Sequence, residues 1–585
     1  MTPPVYTWFM SEVYYWRSLA SMLWSVICLP VFLFAFLLLS QFSLIQPVEW
    51  VYAVVDGFLS AQFWVAYILY GACLVLVTWF CLPHIAVVPE IEDTYISAYL
   101  GLFKWSRLPL LVICALAGTL SAWIVSELIG GRFGSLTHVV NKETHEDVYL
   151  SEPHLCIVLG GLFTGLSYCR QFFHRGLYYL TFPSVHRFKL FQARSEMSSL
   201  LCNCMWQSLH TVTYFYILYF FFGRVSKSWI HASFNISVDQ NAVPLDSLMG
   251  LLNLSLLWQT YLCTLLLIFS WSFTRTLVKV FHSQHYEFTI QSVMEYDKEN
   301  TLSEALACNY SPILQHLAFL DFSRLSKFSA SRRQELLTLS QPGGHPRIWT
   351  AVSSTALAVI KELTERVKEE NWAIMSKAPV SIQRTNTQRS TAYVSSGDPG
   401  ALTLCIVLAG DPSALIFRGQ EEILPVAPES EDQEHIFSSV WGKLSALFFS
   451  LPLISHLFAE IPDASSRKLF ASCQLQIWAI EGVSHMAEKS YTEDKYGIVQ
   501  TLLPAIFASF LDLHEAIEKY FKLSSSVFKR PGGSAHSDVL LKYKLHSVNK
   551  AAVYRLVNTY KQHLEDIRLN VEYFKKLQPF VDYNI

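Results

Sequence analysis

Charged side chains are scarce in this chain. Asp, Glu, Lys and Arg make up 16% of its 585 residues, where a soluble protein carries about 25%. The shortage is uneven: up to Arg275 there are 13 Lys+Arg and 14 Asp+Glu, against 31 and 33 beyond it. Net charge is −3, so there is no basic excess to hold a nucleic acid directly. Paired cysteines are missing as well. The 12 cysteines include no C-x-x-C, and Cys202 and Cys204, two apart, face different ways on a helix. That spacing excludes a disulfide framework and a zinc site. The chain also has no Walker loop, nucleophile elbow or H-E-x-x-H. The expectation is a protein without catalytic, cofactor or metal residues, not an enzyme. The first apolar run is too long for a signal-peptide core and lacks a small-residue cleavage site, so it should persist as an anchor.

What is abundant is hydrophobicity, at 52% of residues, with a mean hydropathy of +0.30. About 20 apolar helical residues cross a bilayer core. Six windows qualify: 19–40, 61–82, 108–129, 155–173, 203–222 and 251–273. Glu127 and Arg170 are their formal charges, each near a segment end where snorkelling is open to it. Six spans put both termini on one side. The loops on that side carry Arg17, Lys104, Arg107, Arg175, Arg187, Lys189, Arg194, Arg275 and Lys279, against Arg132, Lys142, Arg224 and Lys227 on the other. The positive-inside rule then places both termini and the long tail in the cytoplasm. The sequon at Asn235 would be lumenal and is a candidate glycosylation site.

Gly118-x-x-x-Ala122 and Gly161-x-x-x-Gly165 offer small residues for close helix packing, inside one bundle by preference over a homo-oligomer contact. Asn203, Gln207 and His210 share one face of the fifth span. They are interhelical glue or, as the alternative function, the lining of a small-solute transporter or lipid-modifying membrane enzyme.

Beyond Arg275 the chain is water-facing and helical. Thr301-x-x-Glu304 reads as a capping box, and Ser311-Pro312 as N-cap and first position of an amphipathic helix through Ile313, Leu314, Leu317, Leu320 and Leu325. A short helix around Arg332 and Arg333 follows, then "LSQPGGHPRIWT", residues 339–350. Gln341, Pro342, Gly343, Gly344, His345, Pro346 and Trp349 have neither phosphate-loop nor metal spacing and read as a rigid turn. Thr350 would then cap a helix over 351–375, with Leu357, Ile360, Leu363 and Val367 on one side.

The run "QHLAFLDFSRLSKFSASRRQELLTLSQPGGHPRIWTAV", residues 315–352, resembles the family of transmembrane nucleoporins named for the nuclear division cycle, components of the membrane ring of the nuclear pore complex. The arrangement of six spans before a long tail is similar too. The resemblance implies an anchor for the pore scaffold in the pore membrane of the nuclear envelope, active in pore assembly. It also implies tail contacts with other nucleoporins, an aladin-type WD-repeat protein and membrane-binding scaffold nucleoporins among them.

The fold class is therefore mainly α: a six-helix transmembrane bundle over 1–275, a juxtamembrane helical region over 276–375, a flexible and phosphorylatable linker over 376–400, and a C-terminal helical domain over 401–585. Residues 401–417 are ambiguous between strand and helix, 419–434 read as a loop, and 440–458 as a buried helix or one lying in the membrane interface. Helices are expected over 465–487 and 497–523. Last comes an apolar stripe from Leu541 to Phe574 on one helix, with Lys542, Lys550, Arg555, Lys561 and Arg568 on its basic side as candidate partner or lipid contacts.

Overall fold

The computed structural model describes residues 3–43, 45–142, 145–183, 187–234, 250, 253–291, 300–339, 345–377, 459, 461, 464–527 and 537–582. Residues 1–369 and 460–585 form one compact unit and 370–459 a second. The linker, the 401–417 and 419–434 segments and the 440–458 helix lie outside the described residues, save 376 and 377, which end a helix.

The long helices of the apolar half are α1 (Tyr15–Ser40), α2 (Ala61–Cys81), α3 (Leu108–Ile129), α4 (Glu152–His174), α5 (Lys189–Phe234) and α6 (Leu254–His282). α6 is the central post, packed against α1, α4 and α5. Inward faces carry small and hydroxylated residues. Ser18, Ser21 and Ser25 of α1 are buried, each Oγ donating to the backbone carbonyl of a residue one turn earlier: Tyr14, Ser18 and Ser21. Outward faces are bare hydrocarbon: Leu19, Leu23, Ile27 and Val31, each four residues apart, form an exposed stripe, and Val112, Leu116 and Leu120 repeat it on α3. Such stripes are unfavourable in water and are what a lipid-facing helix presents.

Among the described residues, five helices are long and apolar enough to cross a membrane: Pro4–Ser40, Ala61–His84, Leu108–Ile129, Glu152–His174 and Leu254–His282. The remaining expected span, 203–222, sits inside the 46-residue α5. Asn203, Gln207 and His210 dilute its hydropathy, and at about 1.5 Å per residue the helix runs about 70 Å, more than twice a hydrocarbon core.

Some loops carry elements that were not expected. The 41–60 loop contains a helix, Pro47–Leu59. The 130–154 loop contains an antiparallel hairpin, Thr137–Lys142 with His145–Leu150, paired Thr137 to Leu150 and Lys142 to His145.

The tail supplies α7 (Pro312–Phe328), α8 (Ala330–Leu336), α9 (Arg347–Lys377), α10 (Cys473–Glu493), α11 (Leu503–Val527), α12 (Ser537–Tyr560) and α13 (Val571–Val581). Ser311 caps α7 by accepting from the Leu314 amide, as its position before proline suggests. α7 packs on α10 and α10 on α12. The first pair is so close that a Cβ on Gly482 would run into the Phe322 ring.

Four local expectations fail; the helix expected over 465–487 is in two pieces, Ala464–Phe470 and α10, divided at Ala471–Ser472. Thr301 does stand at an N-cap, but its side chain makes no capping bond; the hydroxyl turns to Ser303 Oγ instead. α9 begins at Arg347, so Thr350 lies within its first turns and its hydroxyl donates back to the Pro346 carbonyl. The stripe from Leu541 to Phe574 is not one helix. α12 stops at Tyr560, whose hydroxyl is held by the Ala487 carbonyl and Ser490. A 3-10 turn and an irregular stretch follow before Asn570 opens α13. The stripe survives through Leu564, which stays buried, but Val571 and Phe574 are exposed.

Candidate functional site: the junction between bundle and tail

The apolar half and the tail meet where α6 ends. The last carbonyls of a helix lack intrahelical donors. Here the Arg17 side chain of α1 donates to the last of them, His282, at 3.3 Å, and to the Gln284 and His285 carbonyls just beyond the helix at 2.8 and 3.4 Å. A cation at a helix C-terminus is favoured by the helix dipole as well. Ser18 Oγ lies 3.0 Å from His282 Nε2, so two successive residues of the first span grip the exit of the last.

From there the grip passes to Asp321, fully buried on α7. One carboxylate oxygen accepts from His285 Nε2 at 2.9 Å and Arg332 Nη1 at 2.8 Å; the other accepts from the Phe288 amide at 3.0 Å and Arg332 Nη2 at 2.8 Å. Arg332 Nη2 also donates to the Phe288 carbonyl at 2.6 Å. Burial by itself would raise the Asp321 pKa. The hydrogen bonds from Arg332 and His285 outweigh it and hold the carboxyl below its ordinary value. A fork-to-fork pair with every acceptor site engaged is how a buried charge is tolerated.

α7 and α8 are tied to α10 in the same way. Arg333 donates to Glu493 through Nε at 2.9 Å and Nη2 at 2.7 Å, while Lys327 and Ser323 both reach Glu481, at 2.8 and 2.9 Å. The Arg333 guanidinium in turn depresses the Glu493 carboxyl. On the bundle side, Phe182 stacks on His316 and meets Trp478 edge-on, while the Ile461 amide donates to the Asp93 carbonyl. The tail is therefore seated on the polar loops of the apolar half, not hung from them.

His316 makes this seat sensitive to acid. It is buried, its pKa pushed down to about 4 by loss of solvation, with Nδ1 donating to the Pro312 carbonyl. The folded state keeps it neutral, whereas the unfolded chain protonates it below about pH 6.5. Stability should thus fall as pH drops below 6.5 and level off near 4, by roughly 2 kcal/mol between pH 7 and pH 5. Thermal unfolding of the detergent-solubilised chain across that range reads this directly, and His316→Gln should flatten the slope.

The sequence-derived site residues fall in several places. Gln341, Pro342, Gly343 and Gly344 lie outside the described residues, as does Asn235. His345 and Pro346 lead into α9, and Trp349 is fully buried in its first turn. Gly118, Ala122, Gly161 and Gly165 come together where α3 crosses α4: a Cβ on Gly161 would overlap the Ala122 methyl and the Gly118 carbonyl, and one on Gly165 would overlap the Cys114 carbonyl. Asn203 and His210 are exposed and Gln207 is half-exposed, so the three face outward and line no internal cavity.

The basic side of α12 divides. Arg555 turns inward, donating to Ser484 at 2.7 Å and pairing with Glu488 at 3.4 Å, and Lys542 reaches Ser466 at 3.5 Å. Lys550 is half-buried; Lys561 and Arg568 are exposed. His514, Glu518 and His546 also gather, with ligand-capable atoms within 4.8 Å. Their two imidazoles stack at 16°, and Glu518 is also reached by His514 Nε2 at 3.4 Å and by Lys522 at 3.7 Å.

Arg17, His285, Asp321 and Arg332 were not singled out as a site by sequence reasoning. One signal was present: Asp321 interrupts the apolar side of a helix between Leu320 and Phe322, and a buried acid requires a partner.

The family model described as "Nucleoporin protein Ndc1-Nup" matches residues 12–578. The chain is similar to Nucleoporin NDC1 of Danio rerio, 29% identical with 98% of each chain covered. It is similar to Nucleoporin NDC1 of Mus musculus at 29% identity, and to that of Homo sapiens at 28%, covering 97% of this chain and 96% of the relative in both cases.

Proposed function

Since the chain belongs to the Ndc1-Nup family of nucleoporins, we propose that it anchors the scaffold of the nuclear pore complex in the pore membrane, supports pore assembly and recruits soluble nucleoporins through its tail. It is a membrane nucleoporin, a structural component of the pore and not an enzyme. In the finer reading both termini are cytoplasmic, the bundle is the membrane hold, and the tail meets an aladin-type WD-repeat protein and membrane-binding scaffold nucleoporins.

The observation that carries this reading is the junction. An anchor transmits load only if its grip is fixed to its hold. Arg17 on the first span, the exit of α6 and the Asp321–Arg332 pair join the two through successive hydrogen bonds. Arg17→Ala removes the first of these joints while leaving every apolar span intact. It should leave membrane insertion unchanged and lower the punctate signal at the nuclear rim several-fold, read by imaging a tagged chain in cells depleted of the native protein. Undiminished rim puncta would count against the junction as the working part. Protease added outside sealed vesicles should degrade the tail; a tail protected until detergent is added would reverse the orientation.

A further inference from the structure

The helix Pro47–Leu59 joins the far end of α1 to the start of α2, and its thirteen residues divide into three sectors. At 100° per residue, Trp50, Val54, Gly57 and Phe58 point toward the bundle. Val54 is fully buried, Trp50 Nε1 donates to the Leu38 carbonyl at 3.1 Å, and the Phe58 ring packs on Phe34 and Phe63. The next sector holds Val51, Val55, Val48, Leu59 and Tyr52, and all of them are exposed, Val48 at 66%, Leu59 at 69% and Tyr52 at 72%. The third holds Asp56 and Glu49, also exposed. A helix in water needs two faces, one buried and one polar. This one has an additional apolar face set between them.

The ends of the helix fix its position. Ser60 alone separates it from α2; its hydroxyl donates to the Gly57 carbonyl at 2.7 Å and accepts from the Phe63 amide at 3.2 Å. At the other end, the last carbonyls of α1 are satisfied by protein donors: Leu38 by Trp50, Leu39 by Trp258 Nε1 at 3.1 Å, and Ser40 by Gln259 Nε2 at 2.8 Å. A helix terminus that does not depend on water can sit at the edge of the hydrocarbon. The exposed sector is continuous with exposed Leu39, Phe42 and Ile45 before it and Trp64 after it, that is, with the lipid-facing surface of α1 and α2.

We propose that Pro47–Leu59 is an interfacial helix, lying along the leaflet opposite the N-terminal end of α1. Val48, Val51, Tyr52, Val55 and Leu59 are sunk among phospholipid acyl chains, and Glu49 and Asp56 face water. The order of sectors (bundle, apolar, acidic) is the one a helix flanking a membrane bundle needs at the interface. About 20 Å of helix then occupies one leaflet only, a wedge beside the spans that the apolar windows did not reveal.

The test uses the unmodified full chain in phosphatidylcholine nanodiscs, which leave both faces open to solvent. Hydroxyl-radical footprinting should find Tyr52 oxidised at least roughly fivefold more slowly than a tyrosine exposed on the tail, such as Tyr543, while carbodiimide coupling modifies Glu49 and Asp56 freely. Tyr52 oxidised as fast as Tyr543 would overturn the proposal. A photoactivatable benzophenone residue in place of Val55 then identifies the occupant. Adducts to phospholipid, in excess over those from the same residue in place of Asp56, support it. Crosslinked dimers of the chain, or equal lipid labelling from both positions, would show that another surface or no surface covers this face, and would overturn it.

Discussion

Replacing Gly165 by leucine should abolish the folded bundle. α3 and α4 cross with their backbones in contact: even a methyl on Gly165 would collide with the Cys114 carbonyl and its carbon, and a Cβ on Gly118 with the Gly161 carbonyl. Neither obstacle is the end of a flexible side chain, so the helices must separate. Separation forfeits the dispersion contacts along the whole crossing, and in lipid no hydrophobic effect compensates. Overpacking a side-chain contact costs about 1–3 kcal/mol, and a backbone contact should exceed that range. The measurement is size-exclusion chromatography of a fluorescently tagged chain in mild detergent: the monodisperse peak of the wild type should be lost for Gly165→Leu and strongly reduced for Gly165→Ala. Gly57→Ala is the control. Its nearest neighbour, a Leu37 methyl, would stand 3.8 Å away, and alanine favours the helix by up to about 1 kcal/mol. A peak for Gly165→Leu as sharp as that of Gly57→Ala would show that the crossing is not as tight as described.

The second large effect is expected at Asp321. Asp321→Ala leaves the half-buried Arg332 guanidinium, the His285 ring and the Phe288 amide without their common acceptor. Removing one partner of a buried, hydrogen-bonded pair costs about 3–5 kcal/mol. For a domain of this size that is a drop of some 10 °C in thermal midpoint, read as loss of tail helicity on heating the solubilised chain. Asp321→Asn should recover part of it, since an amide oxygen can still accept. The pH dependence has a definite sign. The Asp321 carboxyl titrates lower in the folded chain than in the unfolded one, so its contribution is fully present above the unfolded carboxyl pKa and is lost as pH falls through the folded value. That window lies below the one for His316, so the two contributions separate in an acid titration. An Asp321→Ala chain as heat-stable as the wild type at pH 7 would remove the junction from the list of structural determinants.

Much of this architecture is legible in the sequence, and the reasons are physical. An apolar run of about 20 residues has one low-energy environment, so the spans in α1, α2, α3, α4 and α6 could be read off directly. Ser311-Pro312 located α7 because cap chemistry is local. Leu357, Ile360, Leu363 and Val367 fixed the buried side of α9 because helical periodicity is local too. What escaped depends on partners far along the chain. The Asp321 cluster draws on residues 285, 288 and 332, and its link to the membrane on Arg17, some three hundred residues earlier in the sequence. The Pro47–Leu59 helix was missed for another reason: its apolar residues are divided between two directions, so neither a long run nor a single stripe marks it. The break after Tyr560 was hidden because Leu564 continues the apolar spacing while the backbone has already left the helix.

The division of the chain has a mechanical corollary. Residues 1–369 and 460–585 build one body although some ninety residues of another unit intervene between them in sequence. A single cut between the end of α9 at Lys377 and residue 459 should break the polypeptide without breaking the body, because α10, α11 and α12 remain bound to α7 and its neighbours by their own contacts. Two fragments produced from separate genes, divided between Lys377 and residue 459, should bind each other through the contacts of α7 with α10 and reconstitute the body.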